Sequence, residues 1–245
     1  MRVRPILLAA TLLAGCAPAD KVDALEQRVA TLEEEVKTLK ANPSAARAGA
    51  AAAPDSPEEA AAEELLKEIA ALSRDGKYDE AKTQLATLKG TYGSTTAYKK
   101  ARKLEQELDI IGKVAPPSWE IEKWYQGQGN IDLTSSKTTL VVFWEVWCPH
   151  CQREVPELEA TYKSLGPQGL QVVGLTKITK SATEEKVLEF MKEKGVTYPM
   201  AKETGALSEY FGVSGIPAAA VVKDGKVVWR GHPARLDEAT LKAWL

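Results

Sequence analysis

Two cysteines one helical turn apart, placed directly after a long apolar segment, constrain this chain more than any other feature. Residues 140–147 are Leu-Val-Val-Phe-Trp-Glu-Val-Trp, and Cys148-Pro-His-Cys151 follows. A buried strand that leads into a helix places the first cysteine at the helix N-terminus. Free N–H groups and the macrodipole favour a thiolate there. The pattern predicts a dithiol that exchanges disulfides.

Composition narrows the remaining classes of function. The chain has 245 residues and a formal net charge of −2, so it has room for one full core and shows no basic footprint for nucleic acid. After the first fifteen residues, no stretch is apolar enough to span a bilayer. The two histidines are His150 and His232, and no second Cys/His pair accompanies the dithiol. We therefore expect no metal and no cofactor, and we expect His232 to be a surface loop residue.

The N-terminus has the pattern of a bacterial export signal. Arg2 and Arg4 precede a short apolar core that ends in Leu-Ala-Gly-Cys16. This ending resembles the lipobox of lipoproteins, so residues 1–15 are predicted to be a signal peptide and Cys16 to be lipidated, with palmitate among the acyl chains. Ala17, where Asp would retain a lipoprotein at the inner membrane, favours the periplasmic face of the outer membrane. The alternative is an ordinary secretory signal with an incidental cysteine.

A heptad pattern occupies the predicted lipidated segment, residues 16–40. Parallel pairing joins opposite charges at Lys21–Glu26, Arg28–Glu33 and Glu35–Lys40, whereas centred antiparallel pairing opposes like charges. The segment resembles the repeats of the major outer-membrane (Braun) lipoprotein. It predicts a coiled coil that forms a parallel homodimer or homotrimer through residues 20–40, and the alternative is a single amphipathic helix. The valines and leucines of the seam are Val22, Leu25, Val29, Leu32, Val36 and Leu39.

The next part of the chain combines a linker with a helical segment. Residues 41–57 are rich in Ala, Pro and Ser without a core pattern, which predicts a flexible linker. A capping serine, a proline and a glutamate in Ser56-Pro-Glu-Glu59 predict a helix start, and residues 58–112 contain three helical apolar faces. The stretch Gly76-Lys-Tyr-Asp-Glu-Ala81 is similar to tetratricopeptide (TPR) hairpins. A docking surface for a partner and a helical spacer both remain open.

From residue 115 the pattern becomes that of an α/β domain. Apolar runs separated by helical patterns predict a central mixed sheet with helices on both faces. Asp224-Gly225 between two apolar runs predicts a tight hairpin. The predicted strands are residues 118–124, 130–133, 138–145, 170–175, 218–222 and 226–230, and the predicted helices are residues 149–165, 184–194 (opened by a capping box at Ser181–Glu184) and 236–245.

Three motifs in residues 115–245 resemble the TlpA/ResA family of membrane-anchored thiol–disulfide oxidoreductases with a thioredoxin-like fold. They are Phe143-Trp-x-x-Trp-Cys-Pro-x-Cys151, Glu154-Val-Pro156 and Gly215-Ile-Pro217. The family's strand–helix insertion matches residues 170–200. The resemblance covers a little over half of the chain, and its combination of motifs is far more specific than a C-x-x-C alone.

The resemblance implies a role for each motif residue. Cys148 is the attacking thiolate, and Cys151 resolves the mixed disulfide, so the two form a redox-active disulfide when oxidised. Glu154 is placed to shuttle protons to the thiols, although a solvated helix residue is the alternative. Pro217 matches the family's cis-proline, which lies across from the thiols. Ile216 then offers backbone hydrogen bonds to a bound peptide.

The neighbouring residues support the same site. Pro149 fits the first helical turn, where a missing N–H has no cost. His150 can bring positive charge close to the first sulfur and favour its thiolate. Trp147 is expected at the rim of the peptide groove. Val142 stands where thioredoxins carry a buried aspartate, so proton handling falls to Glu154.

The direction of electron flow stays open. The family implies a periplasmic reductase, or an isomerase, with protein thiols and disulfides as substrates and a membrane thiol donor or acceptor as partner. Yet Pro149-His150 is the dipeptide of DsbA, a strong oxidant. A thiol peroxidase of the AhpC/TSA group would need Thr-x-x-Cys, whereas the chain has Glu145-Val-Trp-Cys148. A non-enzymatic coiled-coil assembly lipoprotein is a further alternative.

Overall fold

The computed structural model describes residues 56–117, 120–127, 131–135 and 137–245. The described residues belong to one compact unit, which spans residues 52–245. The predicted signal peptide, the lipidation of Cys16, the coiled coil and nearly all of the linker lie outside the described residues. Within the described part, no helix has the length and apolar character needed to cross a membrane.

Three helices form the helical segment that begins the described chain. They are α1 (Pro57–Arg74), α2 (Tyr78–Tyr92) and α3 (Thr96–Ile110). Ser56 Oγ accepts the N–H of Glu59 at 3.1 Å, and Thr95 Oγ1 accepts the N–H of Tyr98 at 3.1 Å, so side chains cap the first and third helices. The apolar faces recognised in the sequence meet in one core, whose fully buried members include Ala62, Ile69, Ala81, Leu88, Ala97, Ala101 and Leu108.

The side chain of Glu59, in the predicted helix start, makes no hydrogen bond to Ser56 in the described part of the chain. Its carboxylate instead reaches the start of α3 and accepts the N–H groups of Thr96 at 2.9 Å and Ala97 at 2.7 Å. The side chain is buried, with the residue 2% exposed. A buried carboxylate at a helix N-terminus satisfies free N–H donors and complements the macrodipole. Glu59 therefore joins α1 to α3.

A six-stranded mixed sheet forms the centre of the remaining chain. β2 is parallel to β3, and β3 is parallel to β4, whereas β1, β5 and β6 each pair antiparallel with their neighbours. The order across the sheet is β1-β4-β3-β2-β5-β6. The strands are β1 (Ile121–Gln126), β2 (Thr139–Trp144), β3 (Gln171–Thr176), β4 (Met200–Glu203), β5 (Ala218–Lys223) and β6 (Lys226–Gly231).

Helices cover both faces of the sheet, as the sequence predicted. Alternate residues of β2 point to opposite faces, and every residue of this strand is buried. Leu140, Val142 and Trp144 pack in one apolar cluster, and Val141 and Phe143 pack in the other. The flanking helices are α4 (Pro149–Leu165), α5 (Glu184–Lys194), α6 (Ala206–Tyr210) and α7 (Glu238–Lys242), with single 3₁₀ turns at Gly166–Gln168 and Pro233–Arg235.

Four local predictions are wrong in detail. Residues 131–133 form no strand, because Asp132 Oδ1 accepts the N–H of Thr134 at 2.8 Å and starts a turn. The N-cap of α5 is Thr183 rather than Ser181. The last helix spans only α7, and the short strand β4 was not predicted.

The chain leaving α3 runs along the edge strand β6. Gly112 donates its N–H to Val227 O at 2.8 Å, and Val227 returns an N–H to Lys113 O at 3.0 Å. A salt bridge also joins the two parts: Nη2 of Arg235, in the turn after β6, lies 2.6 Å from Oε2 of Glu107 in α3. These bonds fix the helical segment against β6 and the Pro233–Arg235 turn.

Candidate active site

The two cysteines lie where β2 gives way to α4. Cys148 is the N-cap residue of α4, and its carbonyl accepts the N–H of Gln152 at 3.0 Å as the helix begins. Pro149 occupies the first turn, where its missing N–H leaves no hydrogen bond unmade. Cys148 is 5% exposed and Cys151 is fully buried, and both are free thiols. Cys148 therefore keeps a small exposed surface, whereas Cys151 has none.

Burial separates the chemistry of the two thiols. It is the largest cause that raises the pKa of Cys151, and the nearby charges of Cys148 and Glu145 raise it further. Cys151 therefore keeps its proton at neutral pH. Such a pair suits a two-step exchange, in which the outer sulfur attacks and the inner one acts only after a mixed disulfide has formed.

The loop that precedes β5 lies against the dithiol, because β5 starts beside the end of β2. Cys148 Sγ is 3.8 Å from Ile216 O, and the Ile216–Pro217 peptide bond is cis. The structure thus brings together the cysteine and the two loop residues that the sequence had singled out separately.

Arg230 ties down the segment that carries this loop. Its guanidinium is buried and donates to Phe211 O at 2.9 Å, Gly212 O at 3.3 Å and Ala219 O at 3.4 Å. Burial lowers the pKa of Arg230 to about 10. The sequence does not predict this role, because a lone arginine in a strand gives no sign that it turns inward.

A second buried group beside the dithiol was also missed. Glu145 is 7% exposed, and its Oε2 accepts hydrogen bonds from Trp147 Nε1 at 2.6 Å and from the Thr179 hydroxyl. Lys180, next to Thr179, places its Nζ 3.2 Å from the centre of the Trp147 ring. The carboxylate therefore joins the β3–α5 loop to the tryptophan that immediately precedes Cys148. The available signal was a glutamate inside an otherwise apolar run.

His150 and Glu154 lie on opposite sides of Arg153. Arg153 Nη2 is 3.2 Å from His150 Nδ1, and its Nε is 3.5 Å from Glu154 Oε1. A guanidinium only donates, so in this hydrogen bond His150 Nδ1 is the acceptor. Glu154 is buried whereas His150 is exposed. The transfer of protons between Glu154 and the thiols stays a prediction.

His232 lies in the loop after β6, as expected, and is half-buried there. Burial is the main cause that lowers its pKa, and the charges of Lys103, Arg235 and His150 lower it further, whereas Glu154 raises it. His232 therefore lies among groups from the helical segment and from α4. The sequence could not show this, because these groups are far apart along the chain.

The fold and the dithiol define the class of this protein: it is a thiol–disulfide oxidoreductase with a thioredoxin-like fold. Residues 111–230 match the AhpC/TSA family model. The C-terminal part of the chain is therefore similar to this family. At the position of the threonine in a peroxidatic Thr-x-x-Cys stands the buried Glu145.

Two relatives of this chain are named as thiol–disulfide oxidoreductases. Sporulation thiol-disulfide oxidoreductase A from Bacillus subtilis is 21% identical over 131 residues, which cover 53% of this chain and 79% of the relative. Thiol-disulfide oxidoreductase ResA from Bacillus thuringiensis is 29% identical over 126 residues, covering 51% of this chain and 70% of ResA. The crystal structure of StoA from Bacillus subtilis aligns with 22% identity and a TM-score of 0.44, over 53% of this chain and 98% of StoA.

Proposed function

We propose that this protein is an extracytoplasmic, lipid-anchored thiol–disulfide oxidoreductase that reduces or isomerises disulfides of other proteins. Cys148 as thiolate attacks one sulfur of a substrate disulfide, and a mixed disulfide forms while the other substrate sulfur leaves as a thiolate. Cys151 then loses its proton and attacks Cys148. The substrate departs as a dithiol, and its two electrons have come from the Cys148–Cys151 pair.

The observation that carries this proposal is the difference in access to the two sulfurs. Cys148 lies at the helix N-terminus against Ile216 O, and Cys151 lies behind it with a raised pKa. Because of this difference, Cys148 reacts first with a substrate disulfide, and Cys151 reacts only after the mixed disulfide has formed. We assign Glu154, which is buried on the same helix, as the group that accepts the Cys151 proton.

Two features of the site favour the reducing direction. An oxidant of the DsbA type depends on a strongly stabilised thiolate. Here Nδ1 of the histidine in the Pro-His pair accepts from the Arg153 guanidinium at 3.2 Å instead of donating a hydrogen bond to the Cys148 sulfur. The buried Glu145 adds negative charge on the other side of the dithiol, which opposes a thiolate.

The anchor and the partners follow from the sequence patterns. Lipidation at Cys16 and pairing through residues 20–40 would hold the active site at the periplasmic face of a membrane, with the outer membrane favoured. Turnover as a reductase requires a membrane thiol donor that returns two electrons to the Cys148–Cys151 disulfide. Replacing Cys16 with serine should move the chain from the membrane fraction to the soluble fraction.

The reduction potential of the dithiol tests the direction. The full chain is equilibrated with glutathione buffers of known ratio, and the free thiols are counted after quenching. We expect a value closer to the roughly −270 mV of thioredoxin than to the roughly −120 mV of DsbA. A value near that of DsbA would overturn the reductase assignment and favour a disulfide-forming oxidant.

A further inference from the structure

A groove of about 430 Å³ lies where the helical segment meets the turn after β6. Leu66 of α1 and Leu104 of α3 form part of its apolar lining. We call this surface the basic groove, because four cations also line it: Arg74, Lys100, Lys103 and Arg235.

The positive charge of the basic groove is only partly compensated. Arg235 pairs with the buried Glu107 at 2.6 Å, and Lys100 pairs with Glu63 at 3.0 Å. The other two cations are exposed, and no carboxylate of the described residues lies within salt-bridge distance of either. Since the whole chain has a net charge of −2, the positive excess is a local property of this surface.

His232 connects the basic groove to the active site. It lines the groove, and its pKa responds to Lys103 and Arg235 there. The residue before it, Gly231, pairs with Ala219 of β5, two residues after Pro217 in the loop that contacts Cys148 Sγ. The pKa of His232 also responds to Glu154 and His150, which lie on the first turns of the helix that begins at the dithiol. A segment of a partner lying in the groove would therefore pass within electrostatic reach of the residues that follow Cys148.

We propose that the basic groove is the docking surface for an acidic segment of the protein substrate, and that it delivers a cysteine of that segment to Cys148. This inference rests on the proposed function. The apolar lining accommodates an apolar side chain, and Arg74 and Lys103, which have no salt-bridge partner among the described residues, attract flanking carboxylates. Complementary charge of this kind steers encounter and selects partners more than it adds affinity. The helical segment thereby acquires a role in substrate selection.

Matched disulfide substrates test the proposal on the full chain. Two peptides of equal length each contain one disulfide, flanked by glutamates in one and by lysines in the other. Hydroxyethyl disulfide serves as a small neutral reference. The double variant Arg74→Glu/Lys103→Glu is compared with Lys192→Glu/Lys226→Glu, which makes the same charge change at exposed positions outside the groove.

The unchanged protein should reduce the acidic peptide with a kcat/KM about tenfold above that of the basic peptide, a ratio that falls towards one in high salt. The groove variant should lose this preference and keep its rate on the neutral disulfide, and the control variant should keep both. Equal rates for the two peptides in the unchanged protein would overturn the proposal.

Two further measurements separate the remaining outcomes. A fluorescent acidic peptide without cysteines should bind the unchanged chain and not the groove variant. If no disulfide is reduced, the proposed function is wrong. Binding of the cysteine-free peptide then still tests whether the basic groove is a docking surface. Charge-dependent binding of anionic phospholipid vesicles without binding of the peptide would overturn the proposal in favour of a membrane contact.

Discussion

Buried glutamates occur in both parts of this chain, but they are satisfied in different ways. In the helical segment, Glu59 accepts two backbone N–H groups at the start of α3. In the thioredoxin-like domain, Glu145 accepts hydrogen bonds from the side chains of Trp147 and Thr179, and its charge acts on Cys151. The first arrangement fixes backbone, and the second lies within a reactive site. The partners of a buried carboxylate, rather than its burial, therefore show whether it serves stability or chemistry.

The largest effect in either region is expected from Glu59→Ala, and it should change the stability of the protein without changing its activity. Glu59→Ala leaves the buried N–H groups of α3 without their acceptor, so the free energy of unfolding should fall by about 3 kcal/mol. Glu58→Ala, in the same turn but exposed, should change it by less than about 1 kcal/mol. Urea unfolding measures both. Reduction of hydroxyethyl disulfide should be unchanged, and a loss of that activity in folded Glu59→Ala would break the comparison.

The thioredoxin-like domain should show its own response to pH. In Cys148→Ser, alkylation of Cys151 at pH 9 should be at least tenfold slower in the folded chain than in urea, because burial raises the pKa of this thiol. The raised pKa also means that folding favours the protonated thiol. The stability of the reduced protein is therefore complete below about pH 8.5 and falls as the pH rises above it. Equal alkylation rates in the two states would contradict the burial of Cys151.

Changing the charge of Glu145 should alter the chemistry with little effect on stability. Glu145→Gln keeps an acceptor for Trp147 and removes a negative charge that disfavours the thiolate form of the dithiol. The reduced form gains stability, so the reduction potential should rise by about 30 mV, which is a tenfold change in the exchange equilibrium. Glu189→Gln on the exposed face of α5 is the control. An unchanged potential would make Glu145 a structural group like Glu59.

The smallest effect is expected at Lys180. Lys180→Ala removes the ammonium group over the Trp147 ring, a contact at an exposed site worth about 0.5–1 kcal/mol. The KM for a peptide disulfide should change by less than about threefold, with kcat unaltered. Steady-state kinetics measures the two constants separately. A fall in kcat would mean that the loop carrying Lys180 takes part in the exchange step.

Much of the fold was predictable, because local signals and tertiary structure agree. The capping serine at Ser56, the buried run before Cys148 and the Asp224-Gly225 turn each act within a few residues, and the structure has the corresponding helix, strand and hairpin. The strand β4 was missed because four residues give no clear alternation. Its place is fixed by pairing with β3 and β1.

The candidate site was predictable only where a motif carries it. The residues from Trp147 to Cys151 are adjacent in sequence, and Pro217 follows a recognisable Gly-Ile pair. Glu145 acts through Thr179, which is 34 residues away in the sequence. Arg230 acts through backbone carbonyl groups, which no side-chain pattern reveals. The basic groove combines positions as distant as Arg74 and Arg235. Such a surface exists only once the chain has folded.

Trapping of mixed disulfides tests the central claim most directly. In Cys151→Ala the resolving thiol is absent, so proteins attacked by Cys148 should remain attached and be released by dithiothreitol. The matched variant Cys148→Ala should capture none through the motif, because Cys151 is buried; both variants also carry Cys16→Ser, so that no other thiol is present. Capture by Cys151→Ala alone is expected if Cys148 attacks the substrate and Cys151 resolves the mixed disulfide. Equal capture by both variants, or none by either, would contradict these roles.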